Sequence, residues 1–228
     1  MMLLSRVKAA PICRQLLSHR SVSSLSSNPY IKAFPNAAPN SGYLLTYLDT
    51  DPPTSRLAIG ASTQLPPTPQ SFTENHRFQS ILVDVLRQHA AQDPDLQSQA
   101  RAFAGPGGAI FSSQGAHLSR QRPQRAASKT AASSGGGAGG ASGQGGAGGA
   151  GVGGHVHLSD LRNPPDYGRI AFPEDILGSI EVDGHGDIIG EFEPSGTYRI
   201  ITNEGILGLS DFLRTKLIER LKEEEERG

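Results

Sequence analysis

The sequence predicts an α+β protein in which a small, mostly antiparallel sheet packs against two or three helices and is interrupted by a disordered Gly-rich linker. Residues 73–90 carry a single apolar stripe at helical spacing. Residues 176–202 contain short β-type runs that are separated by turn residues. Residues 135–154 contain thirteen glycines in twenty positions, a composition that cannot bury a core.

The segment before the linker begins with a predicted strand over Tyr43–Leu48. Leu57–Gly60 is predicted as a second short strand, beyond the turn at Asp51–Pro53. Ser71 and Glu74 have the spacing of a capping box and predict the start of a helix. The apolar stripe of this helix consists of Phe78, Ile81, Leu82, Val85 and Leu86. A shorter helix is predicted to start at Asp93-Pro94 and to end at the glycines from Gly105 onward.

The segment after the linker is predicted to form strands followed by one helix. Asp183–Asp187 looks like a hairpin loop, and Ser210 has the position of a helix N-cap. Fraying is expected over Glu223–Glu226, because four acids meet the negative end of the helix dipole. The predicted strands are 155–158, 176–182, 188–192 and 197–202.

Residues 1–29 have the composition of a mitochondrial targeting segment. They are rich in serine and contain Arg6, Lys8, Arg14 and Arg20, whereas the first acid of the chain is Asp49. The membrane potential drives such positive charge inward, at roughly 2.3 kcal/mol per charge per 100 mV. We therefore expect a soluble mitochondrial protein, in the matrix, with cleavage near residues 21–24.

The charges of the chain predict four segments. The targeting segment, 1–29, is followed by an N-terminal half over 30–104, with five basic and six acidic residues. The linker, 105–154, has four basic residues and no acid, and is predicted to be basic and then Gly-rich. The C-terminal half, 155–228, has eight basic and sixteen acidic residues. The halves are expected to pack together as one domain, because neither has much core of its own.

Several catalytic classes lack their signature in this sequence. The only cysteine is Cys13, inside the targeting segment, so a Cys nucleophile, Cys-ligated zinc and iron–sulfur clusters are not expected in the mature chain. Neither a P-loop motif nor a G-x-S-x-G nucleophile elbow is present. No cofactor is therefore predicted, and whether the protein is an enzyme stays open, with a non-enzyme favoured.

A metal site is a weaker hypothesis built on His155, His157 and Asp160. The two histidines would share one face of a strand, and imidazole and carboxylate groups are common metal ligands. The alternative is that these residues form an exposed strand that emerges from the linker and binds no metal. Asp183-x-His185-x-Asp187 resembles the start of a calcium loop, but Ile188 and Pro194 occupy positions that require Gly and Glu.

A candidate partner-binding epitope follows the first strand of the C-terminal half. Prolines restrict the backbone there, and an aromatic ring and a guanidinium supply contact area and hydrogen-bond donors. The alternative is that this segment packs against its own domain. The candidate residues are Asn163, Pro164, Pro165, Tyr167 and Arg169.

The C-terminal strings Arg162–Ile170, Gly178–Gly184, Pro194–Ile200 and Asn203–Ser210 resemble an uncharacterised family of fungal mitochondrial-type proteins. Ser71–Asn75 resembles that family as well. The family has no assigned activity, so the resemblance implies neither a mechanism nor a site.

The leading functional hypothesis is a non-catalytic accessory or assembly factor of a mitochondrial complex, with a protein partner. One alternative is a small matrix hydrolase or metal-dependent enzyme built on His155, His157 and Asp160. Another is an RNA-associated factor that uses the basic stretch Arg120–Lys129, although no aromatic residue is interleaved for base stacking and nucleic acid is not favoured as a partner. No apolar run is long enough to span a membrane.

Overall fold

The computed structural model describes residues 22–36, 42–104, 153–166 and 169–227. The predictions for residues 1–21, for linker residues 105–152 and for Tyr167 therefore lie outside the described residues.

The N-terminal half forms a five-stranded antiparallel sheet whose strands pair in chain order. A 3₁₀ turn over Ser55–Leu57 and strand β4 replace the strand predicted at Leu57–Gly60. Strand β5 lies at one edge of the sheet. The strands are β1 (Ser23–Ser24), β2 (Lys32–Pro35), β3 (Tyr43–Thr46), β4 (Gly60–Ser62) and β5 (Phe72–Glu74).

Helix α1 (His76–His89) confirms the predicted apolar stripe, all five residues of which are buried. The capping-box prediction was wrong. Ser71 lies just before β5, and Glu74 is the last residue of β5, where it pairs with Gly60 of β4. Asn75 caps the helix instead, and its side chain accepts a hydrogen bond from the Arg77 N–H at 3.0 Å. A 3₁₀ turn, Ala90–Gln92, leads to helix α2 (Pro94–Ala104).

The C-terminal half contains a three-stranded antiparallel sheet, a two-stranded ribbon and a final helix. A 3₁₀ turn over Pro173–Asp175 leads into the middle strand of the sheet. The α+β class with a mostly antiparallel sheet is thus confirmed. The elements are β6 (Gly154–Ser159), β7 (Ile176–Val182), β8 (Glu193–Pro194), β9 (Ile201–Thr202), β10 (Gly205–Ile206) and α3 (Asp211–Glu226).

Two predicted strands of this half are much shorter than expected. The hairpin at Asp183–Asp187 is present, closed by a hydrogen bond of 2.9 Å from the Asp183 N–H to the Asp187 carbonyl. Residues 188–192 contribute only a bridge between Val182 and Ile188. Likewise, only Ile201–Thr202 of the predicted strand 197–202 pairs, with β10. Phe192 and Ile200 are nevertheless buried, through packing rather than through an extended ladder.

Buried residues of the two halves belong to one hydrophobic cluster, which runs from Leu25 to Leu221. Helix α1 packs mainly against α3, and it also contacts β8 of the C-terminal sheet. On the N-terminal side the Phe78 ring stacks on Tyr47, with 6.4 Å between the ring centroids.

The end of α3 is anchored, contrary to the expected fraying. The Glu224 carboxylate pairs with Arg77 at 2.6 Å, and Glu225 accepts hydrogen bonds from the hydroxyls of Thr50 and Thr54 at 2.8 Å each. These long-range partners stabilise acids that the helix dipole alone would disfavour.

Residues 22–29, which the sequence analysis assigned to the targeting segment, contribute to the fold. Strand β1 pairs with β2, and Leu25 belongs to the core. The Asn28 side chain donates a hydrogen bond of 2.8 Å to the Leu207 carbonyl. A cleavage that spares these contacts falls at the early end of the expected range, near Ser21.

Candidate functional site

Asp160 lies at the end of β6 as a fully buried carboxylate, and its oxygens bind groups of its own fold. Oδ1 accepts hydrogen bonds from the backbone N–H groups of Arg162 and Gly208, at 2.9 and 2.8 Å. Oδ2 accepts one from the Tyr198 hydroxyl at 2.8 Å. Asp160 therefore ties β6 to two distant segments of the C-terminal half.

The Arg162 guanidinium lies beside this carboxylate, and its side chain is only 3% exposed. Its Nε donates to Asp175 Oδ1 at 2.7 Å, and its Nη1 lies 3.6 Å from Asp160 Oδ2. Two further donors bind the carbonyls of Ile200 and Glu174, each at 2.9 Å. A buried guanidinium with this many acceptors fixes the geometry of the segments around it.

Together these contacts hold the two ends of the segment 161–174, which we name the 161–174 loop and which the structure describes at residues 161–166 and 169–174. Its base is held by a backbone hydrogen bond of 2.8 Å from the Asp160 N–H to the Asp175 carbonyl. The Asn163 side-chain amide adds a bond of 3.3 Å to Asp175 Oδ2. Loops with adjacent ends and internal packing often carry function.

The outer surface of the loop is apolar at several positions. Leu161, Ile170 and Phe172 are 48%, 44% and 67% exposed. Ala171 is buried between Ile170 and Phe172, so these two side chains point to the same outer side of an extended segment. Large apolar side chains exposed close together on the surface are typical of contact surfaces.

Burial changes the pKa values of two groups at the closed end of the 161–174 loop. Burial raises the pKa of Asp160, although Arg162 and the hydrogen bonds from its partners oppose the shift. Burial and, next, the Asp160 charge raise the pKa of the Tyr198 hydroxyl well above its usual range. Both groups have hydrogen-bond partners within the fold, and these contacts tie the loop to the rest of the C-terminal half.

The histidines of the metal hypothesis lie on β6, with Val156 and Leu158 buried at the alternate positions. Burial, followed by the neighbouring His155, lowers the pKa of His157, which favours a neutral imidazole. Asp160 is engaged by Arg162, Gly208 and Tyr198 instead. Within the described ranges, no group of three or more His, Cys, Asp or Glu side chains is placed to hold a metal ion.

The candidate epitope divides between the base and the tip of the loop. Asn163 points inward to Asp175, as the alternative hypothesis expected. Pro164, Pro165 and Arg169 are exposed. The Arg169 N–H donates a hydrogen bond of 2.9 Å to the Asp166 carbonyl.

Sequence reasoning missed the residues that organise the loop. Arg162, Asp175, Tyr198 and Gly208 are far from one another along the chain, and no motif joins them. No local pattern could have found them, because they meet only after the chain has folded.

In the part of the chain that the structure describes, no helix is both long and apolar enough to cross a membrane. No protein-family model, curated protein or solved structure matches the chain.

Proposed function

We propose that this protein is a non-catalytic accessory or assembly factor of a mitochondrial complex, which binds a partner protein through the 161–174 loop. The observation that carries the proposal is the exposure of Ile170 and Phe172 on a loop whose base is fixed by buried ion pairs. A loop whose ends are fixed loses less conformational entropy on binding than a free segment does, so its apolar contact area contributes more fully to affinity.

The composition of the loop supports a protein partner over a small substrate. Its exposed residues combine aromatic, aliphatic, proline and arginine side chains, and aromatic and arginine residues are enriched at protein interfaces. The buried charges below the loop are paired within the fold, as the contacts of Asp160 and Arg162 indicate.

The proposal is tested by affinity purification of the tagged full chain from its native cells. Ile170→Ser combined with Phe172→Ser removes the apolar surface of the loop. Ile189→Ser is the matched control, since Ile189 is equally exposed but lies beyond the hairpin of the C-terminal half. A partner recovered with the wild type and the control but lost with the loop variant supports the proposal. A partner retained by the loop variant, or none with the wild type, contradicts it.

The mitochondrial location is a separate part of the proposal, supported by the basic, acid-free composition of residues 1–29. Residues 1–40 fused to a fluorescent reporter should direct it to mitochondria. Replacing Arg6, Lys8, Arg14 and Arg20 by Gln should abolish import, because the membrane potential then acts on little charge. A reporter that stays in the cytosol would overturn the location.

A further inference from the structure

Strand β5 has one side that is not paired within the described sheet. Thr63 and Asn75 donate hydrogen bonds to the carbonyls of Ser71 and Ile59, so the hydrogen-bonded positions of the β4–β5 ladder are 71, 73 and 75. Because successive residues of a strand direct their N–H and C=O groups to opposite sides, those of Phe72 and Glu74 point away from β4. Backbone groups at an edge that no described strand covers can pair with another strand.

A groove of about 590 Å³ adjoins this edge at Glu74. Its opposite wall is formed by the end of the 161–174 loop and by residues 196–199. The exposed Phe172 ring and Pro173 supply apolar surface there. An extended peptide along β5 would therefore place one of its side chains against Phe172.

The charges of the groove indicate the chemistry of the occupant. Glu74 and Glu174 contribute two carboxylates to the lining and Arg199 a single guanidinium. Residues 155–228 as a whole carry twice as many acidic as basic residues. A basic segment is therefore electrostatically complementary to this side of the molecule.

We infer that the free edge of β5 and the adjoining groove bind an extended, basic segment of the partner protein by strand addition. This inference rests on the proposed function and names the partner's chemistry. The partner's backbone pairs with Phe72 and Glu74, one apolar side chain packs on Phe172, and a Lys or Arg side chain reaches Glu74 or Glu174. Backbone bonds of this kind supply affinity, and the alternate side chains supply specificity.

The test uses a display library of random linear peptides, selected on the full chain. Peptides with alternating basic and apolar residues should be enriched. Replacing Glu74 and Glu174 by Gln should weaken their binding by about tenfold or more, the loss expected for hot-spot contacts. The control Glu193→Gln removes an exposed carboxylate that does not line the groove and should leave the affinity unchanged.

N-methylation of a selected peptide tests the backbone pairing separately. A methyl group should abolish binding at alternate positions and be tolerated at those between, because only every second N–H faces β5. Uniform tolerance, no enriched peptides, or equal binding by the two-site Gln variant would overturn the inference. A dimer of this chain would also overturn the inference if it forms with rising concentration, blocks peptide binding and survives the Gln substitutions. The edge of β5 would then pair with a second copy of the chain.

The two proposals fail in different ways. If Ile170→Ser with Phe172→Ser loses the native partner while Glu74→Gln with Glu174→Gln keeps it at full affinity, the groove inference is wrong and the loop proposal stands. If neither variant changes the native partner, both are wrong.

Discussion

The Ser210 hydroxyl donates a hydrogen bond to the Asp93 carboxylate, with 3.1 Å between Oγ and Oδ1. Ser210 caps α3 and accepts from the Leu213 N–H at 3.2 Å, whereas Asp93 precedes α2 and accepts from the first N–H groups of that helix. The pair thus joins the starts of two helices that lie on opposite sides of the linker. Asp93 is 1% exposed, and its Oδ2 has no partner among the described residues.

Asp93→Asn is expected to change how stability depends on pH. Burial raises the pKa of Asp93 above its ordinary 3.8, so the native state holds this proton more tightly than the unfolded state does. The stability that comes from this tighter proton binding is fully present below pH 3.8, and it is lost as the pH rises through the raised pKa of the folded state. The free energy of unfolding of the Asn variant, relative to wild type, should therefore increase with pH across that window.

Urea unfolding at a series of pH values measures this difference, and the other titrating groups cancel between the two proteins. Asp93→Ala is the companion variant: it loses the cap and should be less stable by about 1 kcal/mol. A difference in the free energy of unfolding between the Asn variant and the wild type that does not vary with pH would contradict the raised pKa of Asp93.

Val85→Asp in α1 should unfold both halves together. Val85 is buried in the cluster that spans the two halves, and an unpaired buried charge costs more than about 4 kcal/mol at such a position. Amide hydrogen exchange over residues 176–202 should lose protection along with α1. Val83→Asp is the control, since Val83 is only half-buried. Wild-type protection of 176–202 in the Val85 variant would mean that the halves are independent domains.

The outcome for α1 shows what sequence patterns predict well. The stripe from Phe78 to Leu86 and the Ser210 cap depend on neighbours within a few residues, and both are confirmed. The capping box at Ser71 and Glu74 had the same local spacing, but pairing with β4 determined the structure there. Local patterns could not predict the contacts that hold the ends of the 161–174 loop, because Asp160, Asp175 and Tyr198 meet only after the chain has folded.

Arg162→Met is expected to destabilise the protein by about 3–5 kcal/mol. The variant leaves the buried Asp160 and Asp175 carboxylates without their cation, and breaking a buried pair by removing one partner is costly. Mild acidification should recover part of the loss, because burial raises the pKa of Asp160 and protonation removes its uncompensated charge. Arg169→Met, in the exposed part of the same loop, should stay within about 0.5 kcal/mol of wild type in thermal or urea unfolding. Equal effects of the two substitutions would show that the buried network does not hold the loop.

Gly178→Ala should destabilise the C-terminal sheet through crowding. A Cβ at this position of β7 would lie 2.3 Å from the Phe192 ring and 2.4 Å from the Glu193 carbonyl oxygen. Overpacking of this kind costs about 1–3 kcal/mol and lowers the melting temperature by several degrees. Gly196→Ala has no heavy atom within 4 Å of the new Cβ and is the matched control. If both variants have the melting temperature of the wild type, the contact between Gly178 and Phe192 is not close.

The most direct measurement of the central claim is site-specific photo-crosslinking in the native cells. A photoreactive phenylalanine analogue is placed at Phe172 in the full chain, and in a second protein at Ile189. Both positions are exposed to a similar extent, but only Phe172 belongs to the 161–174 loop and to the groove beside β5. The account predicts a discrete adduct with one partner protein from position 172 and none from position 189. Equal labelling at the two positions, or no adduct from position 172, would contradict the claim that this loop binds a partner.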